Sequence, residues 1–187
     1  MKTRIGAGVA GALLVASLGL SPVSPAATAT ALTAPYCGIT WGSVADSVAG
    51  YSSATITNLR TGRHDCFDRV VIDLKGKVKG YDVRYVSAVY TEGQGKLVPL
   101  AGAADLRVIV RAPAYNSSGT PTYNPTNRLN VRNVSGYTAL RQVAFLGSFE
   151  GQSSFGVGVR ARLPFRTFVL TGTDGTSRLV IDVAHRW

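Results

Sequence analysis

Few residues here have chemistry to offer. Only two histidines stand in 187 residues, His64 beside Asp65 and His185 near the last residue, Trp187. A serine triad needs its nucleophile held on a shaped turn, and no Gly-x-Ser-x-Gly string occurs. A zinc hydrolase needs three protein ligands, and there is neither a His-Glu-x-x-His string nor a third histidine. Gly156-Val157-Gly158 sits in a strand-like run and lacks the helix that follows a phosphate-binding loop. Glycan hydrolysis usually needs two carboxylates across a cleft. Glu150, in Gly147-Ser148-Phe149-Glu150-Gly151, is the most suggestive acid, although a turn carboxylate bonded to a nearby amide or arginine is the simpler reading. No catalytic residue, no metal ligand set and no cofactor are expected.

Binding is better supported. Between residues 128 and 166 the charged side chains are Arg128, Arg132, Arg141, Glu150, Arg160, Arg162 and Arg166. Arginine carries a planar fork that suits carboxylate and phosphate, so Arg132, Arg141, Arg160, Arg162 and Arg166 are candidates for an anionic ligand. The long loop 112–128 adds Tyr115, Asn116, Tyr123 and Asn124, flat rings and amides of the kind that sugar recognition uses. The plainer alternatives are a solvated strand surface and a set of capped turns.

These groups must be positioned, and two similar segments stand out as the frame. Cys66-Phe67-Asp68-Arg69-Val70-Val71-Ile72-Asp73-Leu74 is echoed by Arg178-Leu179-Val180-Ile181-Asp182-Val183. Both are rich in β-branched residues and read as strands. In each, Arg and Asp are four apart and share a face, too far along one strand to touch. The simplest expectation is two half-buried strands whose charges look out to water. As antiparallel neighbours in the right register, Arg69 would instead face Asp182 and Asp73 would face Arg178.

The rest of the chain reads as strand after strand. Further strands are expected at Thr55–Leu59, Tyr81–Tyr90, Lys96–Leu100, Leu106–Arg111, Leu129–Arg132, Leu140–Leu146, Ser153–Val159 and Phe165–Leu170. Tyr81, Val83, Tyr85 and Val89 would share one face, and the segment 138–146 has a helical alternative. Ser43 to Gly50 has the cap and stop of one or two helical turns. Short strands separated by frequent turn signals predict an all-β, single-domain β-sandwich with an internal pseudo-repeat and at most one short helix.

Met1-Lys2-Thr3-Arg4, the apolar run Ile5 to Leu20 and the small residues after it have the pattern of a signal peptide over 1–31. Residues 32–35 would be a short disordered lead-in and 36–187 the domain. Twenty Lys and Arg less Lys2 and Arg4 leave 18 against 10 Asp and Glu, a net +8. Such a charge draws polyanions. With export expected, these are cell-wall polymers and lipid head groups rather than nucleic acid, and no transmembrane anchor would remain after cleavage. Two cysteines in an oxidising compartment, Cys37 and Cys66, predict one disulfide.

Taken together, the two repeated segments, Gly80-Tyr81-Asp82-Val83-Arg84-Tyr85-Val86, Phe149-Glu150-Gly151 and the closing Ala184-His185 resemble the AMIN-like domain of exported actinobacterial proteins. More distantly, the chain resembles the AMIN domain of cell-wall amidases and secretins. The resemblance covers about Tyr36 to His185. It implies a non-catalytic β-sandwich that binds peptidoglycan, with Arg69, Asp73, Arg178 and Asp182 at the repeated motif. Two departures from the pattern are the missing amidase domain and the missing lipidation cysteine. The expected function is a secreted, wall-associated module that recognises peptidoglycan or attached anionic polymers. The alternative is a protein-interaction domain that recruits an envelope enzyme through an exposed strand edge.

Overall fold

The computed structural model describes residues 35–187. The expected leader over 1–31, and most of the lead-in segment, lie outside the described residues. Eleven strands follow a single 3-10 turn at Tyr36–Gly38: β1 (Asp46–Val48), β2 (Thr55–Arg63), β3 (Phe67–Lys75), β4 (Tyr81–Val86), β5 (Val89–Tyr90), β6 (Leu97–Val98), β7 (Ala104–Val110), β8 (Leu140–Phe149), β9 (Gln152–Val159), β10 (Phe165–Thr171) and β11 (Thr176–Ala184). A five-stranded sheet runs β1-β4-β7-β9-β8, a four-stranded sheet β10-β11-β3-β2, and β5-β6 form a small hairpin. Every pairing is antiparallel. The expected all-β sandwich is the fold observed.

Period-two alternation builds the core. On β3, Asp68, Val70, Ile72 and Leu74 point inward while Phe67, Arg69, Val71 and Asp73 point out. Leu179, Ile181 and Val183 of β11 join the same core, and Val83, Leu106, Val108, Phe155 and Val157 meet them from the larger sheet. Phe145, Phe155 and Tyr123 pack as tilted or edge-on rings 5.2–6.1 Å apart. Between β8 and β9, Glu150 (φ 47) and Gly151 (φ 78) make the two-residue left-handed turn that matches strand twist. Glu150 is therefore an exposed turn residue.

The outer face of the larger sheet is covered at its β8-β9 side. Val89 and Val98 of the β5-β6 hairpin pack on Ala144 and Leu146. Gly156 and Gly158 permit this approach, because a Cβ on Gly158 would lie 2.0 Å from the Ala101 carbonyl oxygen. The Gly-Val-Gly string thus serves close main-chain packing.

Several segments depart from the sequence-based expectation. Ser43–Gly50 is not helical: Asp46–Val48 pairs with β4, which gives its backbone partners that so short a helix could not supply itself. The strand expected at Leu140–Leu146 is present as β8 and runs on to Phe149, so the helical alternative for 138–146 does not hold. Leu129–Arg132 is no regular strand, yet it lies along β8, with Val131 N donating to Val143 O and Phe145 N to Arg128 O. The strand expected over Tyr81–Tyr90 breaks at Ser87-Ala88, so Val89 leaves the face of Tyr81 and Val83 for the hairpin's own cluster.

Cys37 and Cys66 form the expected disulfide, 29 residues apart in sequence. A closed loop of that size contributes about 3–4 kcal/mol in the chain-entropy account. It fastens the first turn to the start of β3. His185 N donates to Cys66 O, and the Arg186 guanidinium lies 4.6 Å from the Tyr36 ring centre. The chain therefore enters and leaves the sandwich at one corner. No helix among the described residues is long and apolar enough to cross a membrane.

Two expectations follow from this packing. Gly158→Ala, which drives a methyl group into the Ala101 carbonyl, should cost about 1–3 kcal/mol in chemical denaturation while leaving the sheet signature in circular dichroism unchanged. Burial pushes the Tyr81 and Tyr85 hydroxyls up to about 12, against about 10 in an unfolded chain. The folded state holds these protons more tightly, so their stabilisation is complete below about pH 10. It is lost as pH rises through about 12. Burial raises the Tyr123 hydroxyl as well, so ultraviolet titration should show three tyrosines ionising late, with unfolding following.

Candidate binding site

The outer face of the four-stranded sheet carries the repeated segments side by side. Arg69 stands opposite Asp182, and Asp73 opposite Arg178, on antiparallel β3 and β11. The first pair closes: Arg69 Nε and Nη2 donate to the two Asp182 oxygens at 2.6 and 2.9 Å. Arg166, opposite Asp182 on β10, adds a bond from Nε at 2.8 Å. Rings roof the cluster. The Arg166 guanidinium lies 5.2–5.5 Å from Trp41, Phe67 and Phe168, and that of Arg69 lies 5.1 and 5.6 Å from Phe67 and Phe168. Asp182 is 0% exposed, so the expectation that these charges look out to water fails here.

The second pair does not close. Asp73 accepts from Arg60 Nε and Nη2, both at 2.7 Å. Arg60 stands opposite Val71 on β2, one diagonal step from Asp73. Arg178 is exposed and has no ion-pair partner among the described residues.

Two other aspartates are buried. Asp68, on the inner face of β3, accepts from the Ala139 and Leu140 amides and lies 3.1 Å from His185 Nε2. It ties the small sheet to the first residues of β8. Asp82, on the outer face of the larger sheet, is paired with Arg84 and lies 3.4 Å from Arg107 Nη2. Burial pushes the Asp82 carboxyl up, but the hydrogen bonds and charges of Arg84 and Arg107 outweigh it and hold the group below its ordinary value. Each of these carboxylates is occupied by donors and is poorly placed to take a substrate proton.

Basic charge without a neutralising acid is found elsewhere. A surface depression of about 520 Å³ is lined by Arg132, Arg141, Asn130, Asn133, Ser135 and Tyr137, among others, and by no acidic residue. Main-chain carbonyls fix the guanidinium groups: Arg132 Nη1 donates to Val131 O, and Arg141 Nη1 to Leu140 O and Tyr137 O. Arg132 Nη2 also reaches Asn58 Oδ1 at 2.8 Å, while Arg141 Nη2 and Nε have no partner among the described residues. Four further depressions each contain at least one carboxylate, from Asp73 and Asp174, Glu92, Asp46, or Asp65 and Asp68.

The remaining candidates are scattered. Arg160 donates to His185 O, Arg162 to Ser43 O, and Arg166 belongs to the Asp182 cluster. Of these arginines Arg132 and Arg141 share one depression, while Arg160, Arg162 and Arg166 sit in separate settings. Tyr123 is 8% exposed and packed in the core, so its ring is not offered to a ligand. Tyr115 is half-buried with its hydroxyl accepting from Gly151 N, and Asn116 Oδ1 caps the Ser118 and Thr120 amides. Asn124 is exposed. Sequence reasoning missed Arg60, Trp41, Phe168 and Tyr137. Asn58-Leu59-Arg60 on a strand beside Asp73 was the available signal for the first of these.

The fold and this face define a class, a disulfide-closed antiparallel β-sandwich domain whose basic depression stands apart from its buried ion pairs. The AMIN-like domain family matches residues 54–185, and the chain belongs to it. Neither the curated proteins nor the solved structures contain a match.

Asp182→Asn strips two arginines of their shared carboxylate and should cost about 3–5 kcal/mol. Arg60→Ala removes only an exposed partner of Asp73 and should cost about 0–1 kcal/mol. Parallel urea titrations check the ordering, and equal costs would mean that Asp182 is not the stronger fastening.

Proposed function

We propose that this protein is a non-catalytic, secreted, wall-associated module that binds peptidoglycan or the anionic polymers attached to it. The observation that carries the reading is the depression around Arg132 and Arg141, where guanidinium groups are held by carbonyl oxygens and faced by no carboxylate. Peptidoglycan stems and wall polymers present carboxylates or phosphates, which a fixed guanidinium fork accepts. The Asn130 and Asn133 amides and the Tyr137 ring offer the accompanying sugar both hydrogen bonds and a flat surface. Membership of the AMIN-like family supports a wall ligand, and the disulfide supports an oxidising compartment. The saturated state of Asp68, Asp82 and Asp182 supports binding without bond cleavage. Tyr123 has no part in recognition, and Arg166 is committed to Asp182.

Purified sacculi, with and without their anionic polymers, should pull the protein down in co-sedimentation. Arg132→Ala combined with Arg141→Ala should weaken binding at least about tenfold, a loss of about 1.4 kcal/mol. Arg178→Ala, on the small sheet, should leave it unchanged. Binding that survives stripping assigns the glycan or peptide. Binding abolished at 1 M salt, where the Debye length is about 3 Å, assigns charge alone. No sedimentation with either preparation defeats the reading.

A further inference from the structure

The two flanks of the sandwich are finished differently. Along the flank of β2 and β8, residues 112–138 seal both outer strands: Ile56 N donates to Pro113 O, Thr122 Oγ1 to Ile56 O, and Val131 N to Val143 O. On the opposite flank the outer strands are β10 and the three-residue β1. There Gly42 exchanges two main-chain bonds with Phe165, at 2.7 and 3.3 Å, and the cover stops.

Backbone groups of alternate residues in an antiparallel ladder point the same way. Since the Phe165 groups point outward to Gly42, those of Thr167, Val169 and Thr171 point outward as well. None of these has a partner among the described residues. Protected edges are short, charged or kinked. This one presents Val169 at 37% and Leu170 at 41% exposure. It leads into a depression of about 470 Å³ between Phe165–Thr167 and the segment from Thr40 to Ser47, where the buried Thr167 hydroxyl has no hydrogen-bond partner.

Arginines outnumber acids around the edge, although Asp174 lies in the β10-β11 turn near Arg178. Arg166 shares one carboxylate with Arg69, Arg162 donates to Ser43 O, and Arg178 has no ion pair. The one acid lining the depression, Asp46, accepts from the Tyr81 hydroxyl at 3.3 Å. We propose that β10 is a docking edge for strand addition. Its occupant is an extended segment of a partner protein in which acidic residues flank alternating small apolar ones. The segment lies antiparallel to Thr167–Thr171 and continues into the depression beside Trp41. Backbone bonds supply the affinity, and Arg162 and Arg178, neither of them paired with a carboxylate among the described residues, select acidic flanks. A second copy of this chain is the poorer occupant, because a net charge of +8 over residues 35–187 of each would meet across the new ladder. This surface lies on the flank away from Arg132 and Arg141, so its test is independent of wall binding.

The probe is a short acetylated peptide alternating valine and threonine between paired aspartates, compared with the same peptide carrying lysines for aspartates. The readout is amide hydrogen exchange by NMR on the intact folded protein. The aspartate peptide should slow exchange at Thr167, Val169 and Thr171 by at least about tenfold over the peptide-free protein, and the lysine peptide should not. Val169→Pro removes an outward N–H that an edge strand can spare, and it should abolish the effect while retaining cooperative unfolding. Should that variant fail to fold, the exchange data on the unaltered protein decide alone. No slowing with the aspartate peptide, equal slowing with both peptides, or slowing that follows protein concentration without peptide would each overturn the proposal, the last by making a second copy the occupant.

Discussion

A carboxylate removed from water must be met by donors on every side, or it costs several kcal/mol. This sandwich removes two completely, Asp182 and Asp68, and much of its order follows. Asp182 is reached only when β3, β10 and β11 stand in one register, since Arg69 comes from one neighbour and Arg166 from the other. A one-residue slip would turn either arginine to the opposite face and leave the charge without its donors. Asp68 acts across the layers instead. It fixes where β8 begins relative to β3 and holds His185 at the closing end of β11.

Each sheet carries a similar device on its outer face, two arginines around one aspartate: Arg69 and Arg166 about Asp182, Arg84 and Arg107 about Asp82. Their settings differ. Aromatic rings roof the first, while Arg84 and Arg107 in the second are more open to solvent. Many of the chain's basic residues are thus consumed in holding strands together. What remains for a ligand is set by where acids are absent, so overall net charge is a weaker guide than the local pairing.

The strand pattern, the disulfide and the kinship of the two repeated segments were legible because each rests on local signals: β-branched alternation, cysteine number, and a recurring Arg-x-x-x-Asp. Register was legible only as an option, because it depends on which strands become neighbours. Once β11 lies beside β3, Arg69 meets Asp182, but Asp73 is taken by Arg60 from a strand the repeat does not include. Tyr123 misled for a related reason. A tyrosine in a polar, proline-rich loop looks exposed until the loop folds back over the sheet edges and buries the ring against Phe145 and Phe155. Ser43–Gly50 carries good capping residues, yet tertiary pairing with β4 overrode them.

The meeting of Tyr36, Cys66 and Arg186 at one corner has a mechanical consequence. Tension applied through the two ends of the domain would pass through the sulfur cross-link to the start of β3 and load the adjoining end of the β3-β11 ladder, where His185 N meets Cys66 O. Hung from a tether at either end, the sandwich would act as a pendant rather than a link in series, free to swivel about that corner.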